Sequence, residues 1–204
     1  MGAANSVPYE IIGAPFVVWR AAVGATFPLV DAEPDAGTWT KIGTSGDLNY
    51  SDEGVKVGHP QSFNKFRPLG DNGPRKIFRT EEDLIISLML ADVSLEQYRR
   101  GLNDNTLTTV APGAEAGYKK VGLTRGLAIA TMALLVRGPS PYGDDMYLQY
   151  EVPICVQTGT PEVTYTRSNA AMLALEWSAL VDPNASSVAE RFGRLVAMTA
   201  VAIS

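Results

Sequence analysis

The sequence is poor in the residues that build most catalytic centres. Its 204 residues include one cysteine, Cys155, and one histidine, His59. A single cysteine excludes a disulfide framework and a multi-cysteine zinc cluster. A single histidine excludes a histidine-rich metal site and any mechanism that needs two imidazoles. We expect Cys155 to be a small buried apolar side chain rather than a nucleophile, and His59 to be a polar residue of an extended arm.

The sequence is also short of positive charge and of long apolar runs. Its 17 Lys and Arg residues oppose 22 Asp and Glu residues, for a net charge of −5. Because phosphate recognition requires a basic surface, this balance argues against nucleic-acid binding as the main activity. The longest apolar stretch, residues 127–136, has about half the length of a membrane-spanning helix. With no recognisable signal peptide, we expect a soluble protein in a reducing cytoplasm, with a flexible N-terminus at residues 1–14.

Catalytic motifs are missing as well. Residues 43–46 (GTSG) lack the full nucleophile-elbow pattern, and no glycine-lysine-serine or glycine-lysine-threonine sequence of a phosphate-binding loop occurs. The acidic clusters 81–83 and 144–145 lack the spacing of a calcium-binding loop, so we interpret them as solvated strand ends. The sequence therefore predicts no enzyme, no cofactor and no metal site.

What the sequence does contain is alternation of apolar and polar residues with a period of two. This pattern predicts half-buried strands at residues 84–90, 146–157 and 171–181, and Pro153 places the second of them at a sheet edge or a bulge. Residues 126–137 are apolar on both faces and predict a central strand covered on both sides. Residues 194–203 predict a last strand.

One short helix is expected in the middle of the chain. Ser94 followed by Gln97 has the pattern of a capping box, and Leu95, Tyr98 and Leu102 recur on one helical face. We expect this helix to lie across one end of the core. The fold class is therefore mainly β, a β-sandwich or partial barrel with one flanking short α-helix and a long extended arm, in one domain over residues 1–204.

The arm is predicted from a change in charge and composition. Residues 31–53 contain six acids and one base, whereas residues 54–79 contain six bases and one acid. The basic segment carries four glycines, three prolines and three phenylalanines, which favours a long hairpin with aromatic anchors that orders on a partner. The two segments either neutralise each other within one subunit or meet across an interface between copies. The candidate contact residues are Lys56, Phe63, Lys65, Phe66, Arg67, Arg75, Lys76 and Phe78 in the basic segment and Asp47, Asp52 and Glu53 in the acidic one.

Several segments resemble one known protein family. They are GDLNYSDEGV at 46–55, FRPLG at 66–70, FRTEEDLII at 78–86, LADVSLEQY at 90–98 and ERFGRLV at 190–196. Together they are similar to segments of the tail tube (major tail) proteins of long-tailed bacteriophages, over residues 37–198.

This resemblance implies a β-sandwich or barrel that assembles as hexameric rings, stacked into the tail tube through which DNA is ejected into the host cell. In such tubes a long arm bridges one ring to the next. The implied partners are other copies of the chain and the tape measure, terminator and distal tail proteins. DNA would pass through the lumen without specific binding, and no membrane is involved. The implied location is the virion tail, assembled in the host cytoplasm.

Two other classes stay open. One is a related ring-forming component, either the tube protein of a contractile injection system or a head–tail completion protein. The other is an enzyme built on a β-sandwich, which requires a concave pocket with perturbed acids that the sequence does not display.

Overall fold

The structure is a computed structural model and describes residues 10–200. Most of the predicted flexible N-terminus (residues 1–9) and the end of the predicted last strand (residues 201–204) lie outside the described residues. The chain is mainly β with one short α-helix and a large antiparallel sheet, as the sequence predicts.

The described residues form twelve strands and one α-helix, together with short 3-10 helices. The strands are β1 (Val17–Ala21), β2 (Thr40–Lys41), β3 (Tyr50–Gly58), β4 (Gln61–Phe66), β5 (Lys76–Glu82), β6 (Ile85–Leu90), β7 (Leu107–Val110), β8 (Tyr118–Val121), β9 (Thr131–Pro139), β10 (Tyr147–Gln157), β11 (Leu173–Ala179) and β12 (Arg194–Ala197). The helix α1 (Leu95–Tyr98) continues into the 3-10 helix Arg99–Leu102, and two further 3-10 helices span Gly46–Asn49 and Val188–Glu190.

Eight of the strands form one antiparallel sheet that curls on itself. The strand order is β2-β1-β9-β10-β11-β6-β3, and β12 pairs with the first half of β10. Although β1 and β3 lie near opposite ends of this order, the Tyr50 hydroxyl accepts a hydrogen bond from the Val18 N–H at 3.1 Å. The same hydroxyl donates to the Ile42 carbonyl oxygen at 2.9 Å. The two ends of the sheet therefore approach each other, consistent with the predicted β-sandwich or partial barrel.

Apolar side chains fill both sides of the sheet's centre. The main core lies inside the curl and includes Val18, Leu134, Leu175 and Trp177. A smaller core on the outer face of β1 and β9 is covered by residues 22–39, with Trp39 buried against Trp19, Ala21, Ala133 and Leu135. This second core is why β9 is covered on both sides, as predicted.

The central strand β9 begins at Thr131, five residues later than the sequence pattern predicts. Residues 126–130 lie outside β9 and are mostly exposed. Their backbone is held by a side chain instead of by a neighbouring strand, because the Asn103 amide donates to the Ala128 carbonyl at 2.6 Å and accepts from the Ala130 N–H at 2.6 Å. The apolar composition of residues 126–130 does not show whether their backbone bonds to a neighbouring strand or to a side chain.

The predicted alternation along β10 fails at Pro153. The register against β9 shifts between Val152 and Cys155, which is the bulge that the proline predicts. The shift turns Cys155, instead of Ile154, toward the main core. Cys155 is 1% exposed, as expected of a buried apolar residue, and burial raises the pKa of its thiol. The first half of the strand is buried on both faces rather than half-buried.

The predicted capping box at Ser94 is wrong. The Ser94 hydroxyl is buried without a hydrogen-bond partner among the described residues. Asp92 fixes the turn instead, because its Oδ1 accepts from the Ser94 N–H at 3.0 Å while its Oδ2 accepts from the Thr44 N–H at 2.8 Å. Tyr98 packs against the main core, as predicted.

Three other strand predictions differ mainly in length. The alternation of buried and partly buried residues in β6 and β11 is confirmed. The last strand is shorter than predicted and ends at Ala197. Its partner β10 begins at Tyr147, whose carbonyl accepts the Met198 N–H at 2.8 Å, so the ladder has no further partner.

Candidate interaction surface

The predicted arm is a hairpin that projects from the end of the main sheet. We define the arm as residues 61–82, which comprise β4, β5 and the connection between them. β4 and β5 pair only as a two-stranded sheet of their own, and every residue of both strands is exposed. The arm extends the β3–β6 ladder, since the Asp83 N–H donates to the Pro60 carbonyl at 3.0 Å. His59 is exposed at this junction.

The arm begins later than predicted. Residues 54–58 belong to β3 in the main sheet rather than to the arm. Val55 and Val57 pack against the main core from this strand. Lys56 lies between them and is exposed, so it belongs to the main sheet and not to the arm.

The arm carries aromatic and basic side chains on both of its faces. Its register pairs Phe63 with Arg79 and Lys65 with Ile77 on one face, and Asn64 with Phe78 and Phe66 with Lys76 on the other. The apolar members are roughly half exposed: Phe63 48%, Phe66 57%, Ile77 53% and Phe78 49%. A hairpin that packs on its own body hides one face. This arm hides neither within residues 10–200.

The tip of the arm is an ordered turn. The Asp71 carboxylate accepts from the Gly73 N–H at 2.9 Å, and the Arg75 N–H closes the loop by donating to the Phe66 carbonyl at 3.0 Å. Residues 71–73 (DNG), a sequence typical of turns, therefore form the tip of the arm. Leu69 is fully exposed at this tip.

Most of the positive charge on the arm has no neutralising partner within the described residues. Arg75 pairs with Asp71 at 3.5 Å and Arg79 with Glu82 at 3.2 Å. Lys65, Arg67 and Lys76 have no carboxylate within 4.0 Å in residues 10–200; Lys76 lies over the Phe78 ring, 5.0 Å from its centroid. The arm thus presents cations beside its exposed phenylalanines.

The acidic candidates do not lie against the arm. Asp47 is in the 3-10 helix Gly46–Asn49, and Asp52 and Glu53 lie where the register of β3 shifts, next to Gly54 at φ +64°. Glu53 is five residues before the end of β3, roughly 15 Å along the strand from the base of the arm. Lys56 pairs with Glu53, and this hydrogen bond and charge lower the pKa of the Glu53 carboxyl. Within residues 10–200, this is the one ion pair that joins the two segments.

A buried polar network on the outer face of the sheet was not predicted. Arg137 is 5% exposed and donates to the Gln149 side-chain oxygen at 2.6 Å and to the Leu29 and Ala32 carbonyls at 2.9 and 2.6 Å. Gln149 also donates to Glu151, which pairs with Arg194 at 2.6 Å. The signal in the sequence is the polar set 149 and 151 in an otherwise apolar strand, which alternation alone assigns to solvent.

The described residues contain little else that suggests chemistry. A pocket of about 180 Å³ lies beside Glu151, Arg194, Asp182 and Glu190. Residues 10–200 hold no cluster of three histidine, cysteine or acidic side chains suited to a metal ion. In the same residues, no helix has the length and apolar character needed to cross a bilayer.

No protein-family model matches this chain, and no curated protein sequence matches it significantly. The resemblance to tail tube proteins therefore stands on the quoted segments and leads to a proposal.

Proposed function

We propose that this chain is a structural subunit that self-assembles into rings, hexameric by the family resemblance, which stack as a viral tail tube for DNA ejection. The observation that carries the proposal is the arm, an ordered hairpin with exposed phenylalanines and unpaired cations on both faces. An isolated two-stranded hairpin is marginally stable in water, so an ordered one with this composition suits a contact that covers it.

The arm fits between two copies of the chain. Buried aromatic anchors dominate the energetics of protein interfaces, and Phe63 and Phe66 lie on opposite faces of β4, so one arm engages two surfaces at once. A neighbour offers complementary charge, because Asp47 and Asp52 have no basic partner within 4.0 Å in residues 10–200 of their own subunit. Exposed ion pairs contribute roughly 0.2–1 kcal/mol each, so the phenylalanines carry most of the contact.

The charge of the whole subunit supports a conduit for DNA. A net charge of −5 per chain gives a ring that repels a passing polyanion rather than gripping it. In this role the chain needs no catalytic residue. Its partners are other copies and the tape measure, terminator and distal tail proteins of the same virion.

The experiment is negative-stain electron microscopy of the purified full chain over a range of concentrations. We expect rings at low concentration and tubes at high concentration. The matched variant replaces residues 61–82 with Asn-Gly, a turn that closes the β3–β6 hairpin where Asp83 already bonds to Pro60. This variant is expected to fold, to form rings and to lose the tubes.

Two results would change the assignment. Closed rings that never stack at any concentration would favour a head–tail completion protein. A protein that light scattering shows to be monomeric throughout the range would overturn the proposal.

A further inference from the structure

Three arginines from two parts of the chain converge on a single carboxylate. Arg20 in β1 lies 2.6 Å from Asp104, Arg99 lies 3.5 Å from it, and Arg100 contacts the same oxygen as Arg99. In the part of the chain that the structure describes, Asp104 is the one carboxylate within 4.0 Å of these guanidinium groups. The cluster therefore carries a net charge of +2.

This excess charge is partly removed from water. Arg100 is 6% exposed, and the Nε atoms of Arg20 and Arg100 are buried with no hydrogen-bond partner within residues 10–200. Burial, together with the like charge of Arg20, lowers the pKa of Arg100 to about 10, so it remains protonated at neutral pH. Uncompensated charge that is removed from water is costly, and an anion bound beside the cluster reduces that cost.

A polar cavity adjoins the cluster. It has a volume of about 270 Å³, and its walls include Arg20, Asp104 and the threonines at positions 38, 40 and 131. Asp104 is the one carboxylate in this wall, and both of its oxygens are already engaged by the guanidinium groups. Arginine and threonine side chains are the donors that recognise phosphate and carboxylate groups.

The cluster is also held in place before any ligand arrives. Asn103 and Asp104 both have left-handed backbone conformations, with φ of 61° and 55°. Such conformations persist where the surroundings fix them, and here Asn103 and Asn105 donate to backbone carbonyls of residues 122–128. Asp104 thus stands on a backbone that cannot easily turn away from the arginines.

From this geometry we infer that the cavity beside Arg20 binds a small oxyanion, a phosphate or a carboxylate. Arg20 contacts the anion directly and the Thr40 and Thr131 hydroxyls donate to it, whereas the Thr38 hydroxyl already donates to the Asp35 carboxylate at 2.8 Å. Arg99 and Arg100 do not line the cavity and act through their positive charge. The inference does not depend on the proposed assembly.

The test is isothermal titration calorimetry of the full chain, below the concentration at which it assembles, with inorganic phosphate and in a separate arm with acetate. Sodium chloride keeps the ionic strength constant. We expect saturable binding of one anion, weakened at least tenfold in Arg20→Gln. The matched control is Arg75→Gln, an exposed arginine of the arm that also pairs with an aspartate, and it should bind as the wild type does.

Binding of phosphate but not acetate would assign a free phosphate as the ligand, whereas binding of both would admit a carboxylate side chain of a second copy. If Arg20→Gln unfolds, Thr40→Val provides the second variant and should weaken binding several-fold. Absence of saturable heat up to about 10 mM of either anion would overturn the inference. Equal loss of binding in Arg75→Gln would overturn it too.

Discussion

The hydroxyl of Tyr50 joins the two ends of the curled sheet, lying 3.1 Å from the Val18 nitrogen and 2.9 Å from the Ile42 oxygen. Val18 and Ile42 are fully buried, so neither backbone group can turn to water if the hydroxyl is lost. Burial also raises the pKa of Tyr50, so the hydroxyl stays protonated and remains a donor at neutral pH.

Tyr50→Phe should lower the free energy of unfolding by about 2 kcal/mol, because it leaves a buried donor and a buried acceptor without partners. Urea unfolding followed by circular dichroism measures the change. Tyr142→Phe, at a tyrosine that is 56% exposed, is the control and should have little effect. Equal stability of the two variants would mean that the Tyr50 hydroxyl does not hold the two ends of the sheet together.

Arg137→Met should destabilise the protein by about 3 kcal/mol, because it leaves the Gln149 side-chain oxygen and two carbonyls of the segment over the smaller core without their donors. Exposure of Trp39 should red-shift the tryptophan fluorescence. The double variant Arg137→Met with Gln149→Leu should be destabilised by less than the sum of the two single variants, since the two residues share their hydrogen bonds. Strict additivity would contradict the network.

Asp92 should make stability depend on pH in the acid range. Burial alone raises the pKa of its carboxyl, but hydrogen bonds from Thr44 and Ser94 outweigh that effect and lower the pKa to about 2. Because the folded pKa lies below the ordinary value near 3.8, the stabilisation is full above pH 4 and is lost as the pH falls toward 2. Asp92→Asn should flatten the stability profile over this interval. A profile parallel to that of the wild type would be the contrary result.

Changing Phe63 and Phe66 to Ala should abolish stacking without changing the melting temperature, because both side chains are exposed in the free subunit. Lys65→Glu should only shorten the tubes, and mainly at low salt, since salt screens exposed charges. Tyr118→Ala, at an exposed aromatic residue outside the arm, is the control and should leave the tubes intact. A double variant that melts lower yet still forms tubes would show that the arm serves its own subunit.

The sequence pattern predicted correctly those strands in which the burial of each residue depends only on the face of the sheet that it occupies. β6 and β11 alternate as expected because each has one side in the main core. The pattern failed where a second partner intervenes: the bulge at Pro153 reverses the faces of β10, and Asp92 takes the role expected of Ser94. Neither partner is visible in a period of two or in a local motif.

The arm was the part of the candidate surface that the sequence could predict. The arm stands apart from the body, so its charge and aromatic content describe it without knowledge of the rest of the chain. The arginine cluster joins residues 84 positions apart, Arg20 and Asp104, and the network around Arg137 reaches back 108 positions to Leu29. Such contacts depend on which strands become neighbours, and composition does not reveal that.

The continuity between the arm and the β3–β6 ladder has a mechanical consequence. A pull along the arm loads β3 and β6 together, in the same direction, against the six residue pairs that join β6 to β11. The hydrogen bonds of that ladder then resist sliding simultaneously instead of opening one after another. We therefore expect the arm to be a strong tether, able to carry tension into the centre of the subunit without peeling off its edge.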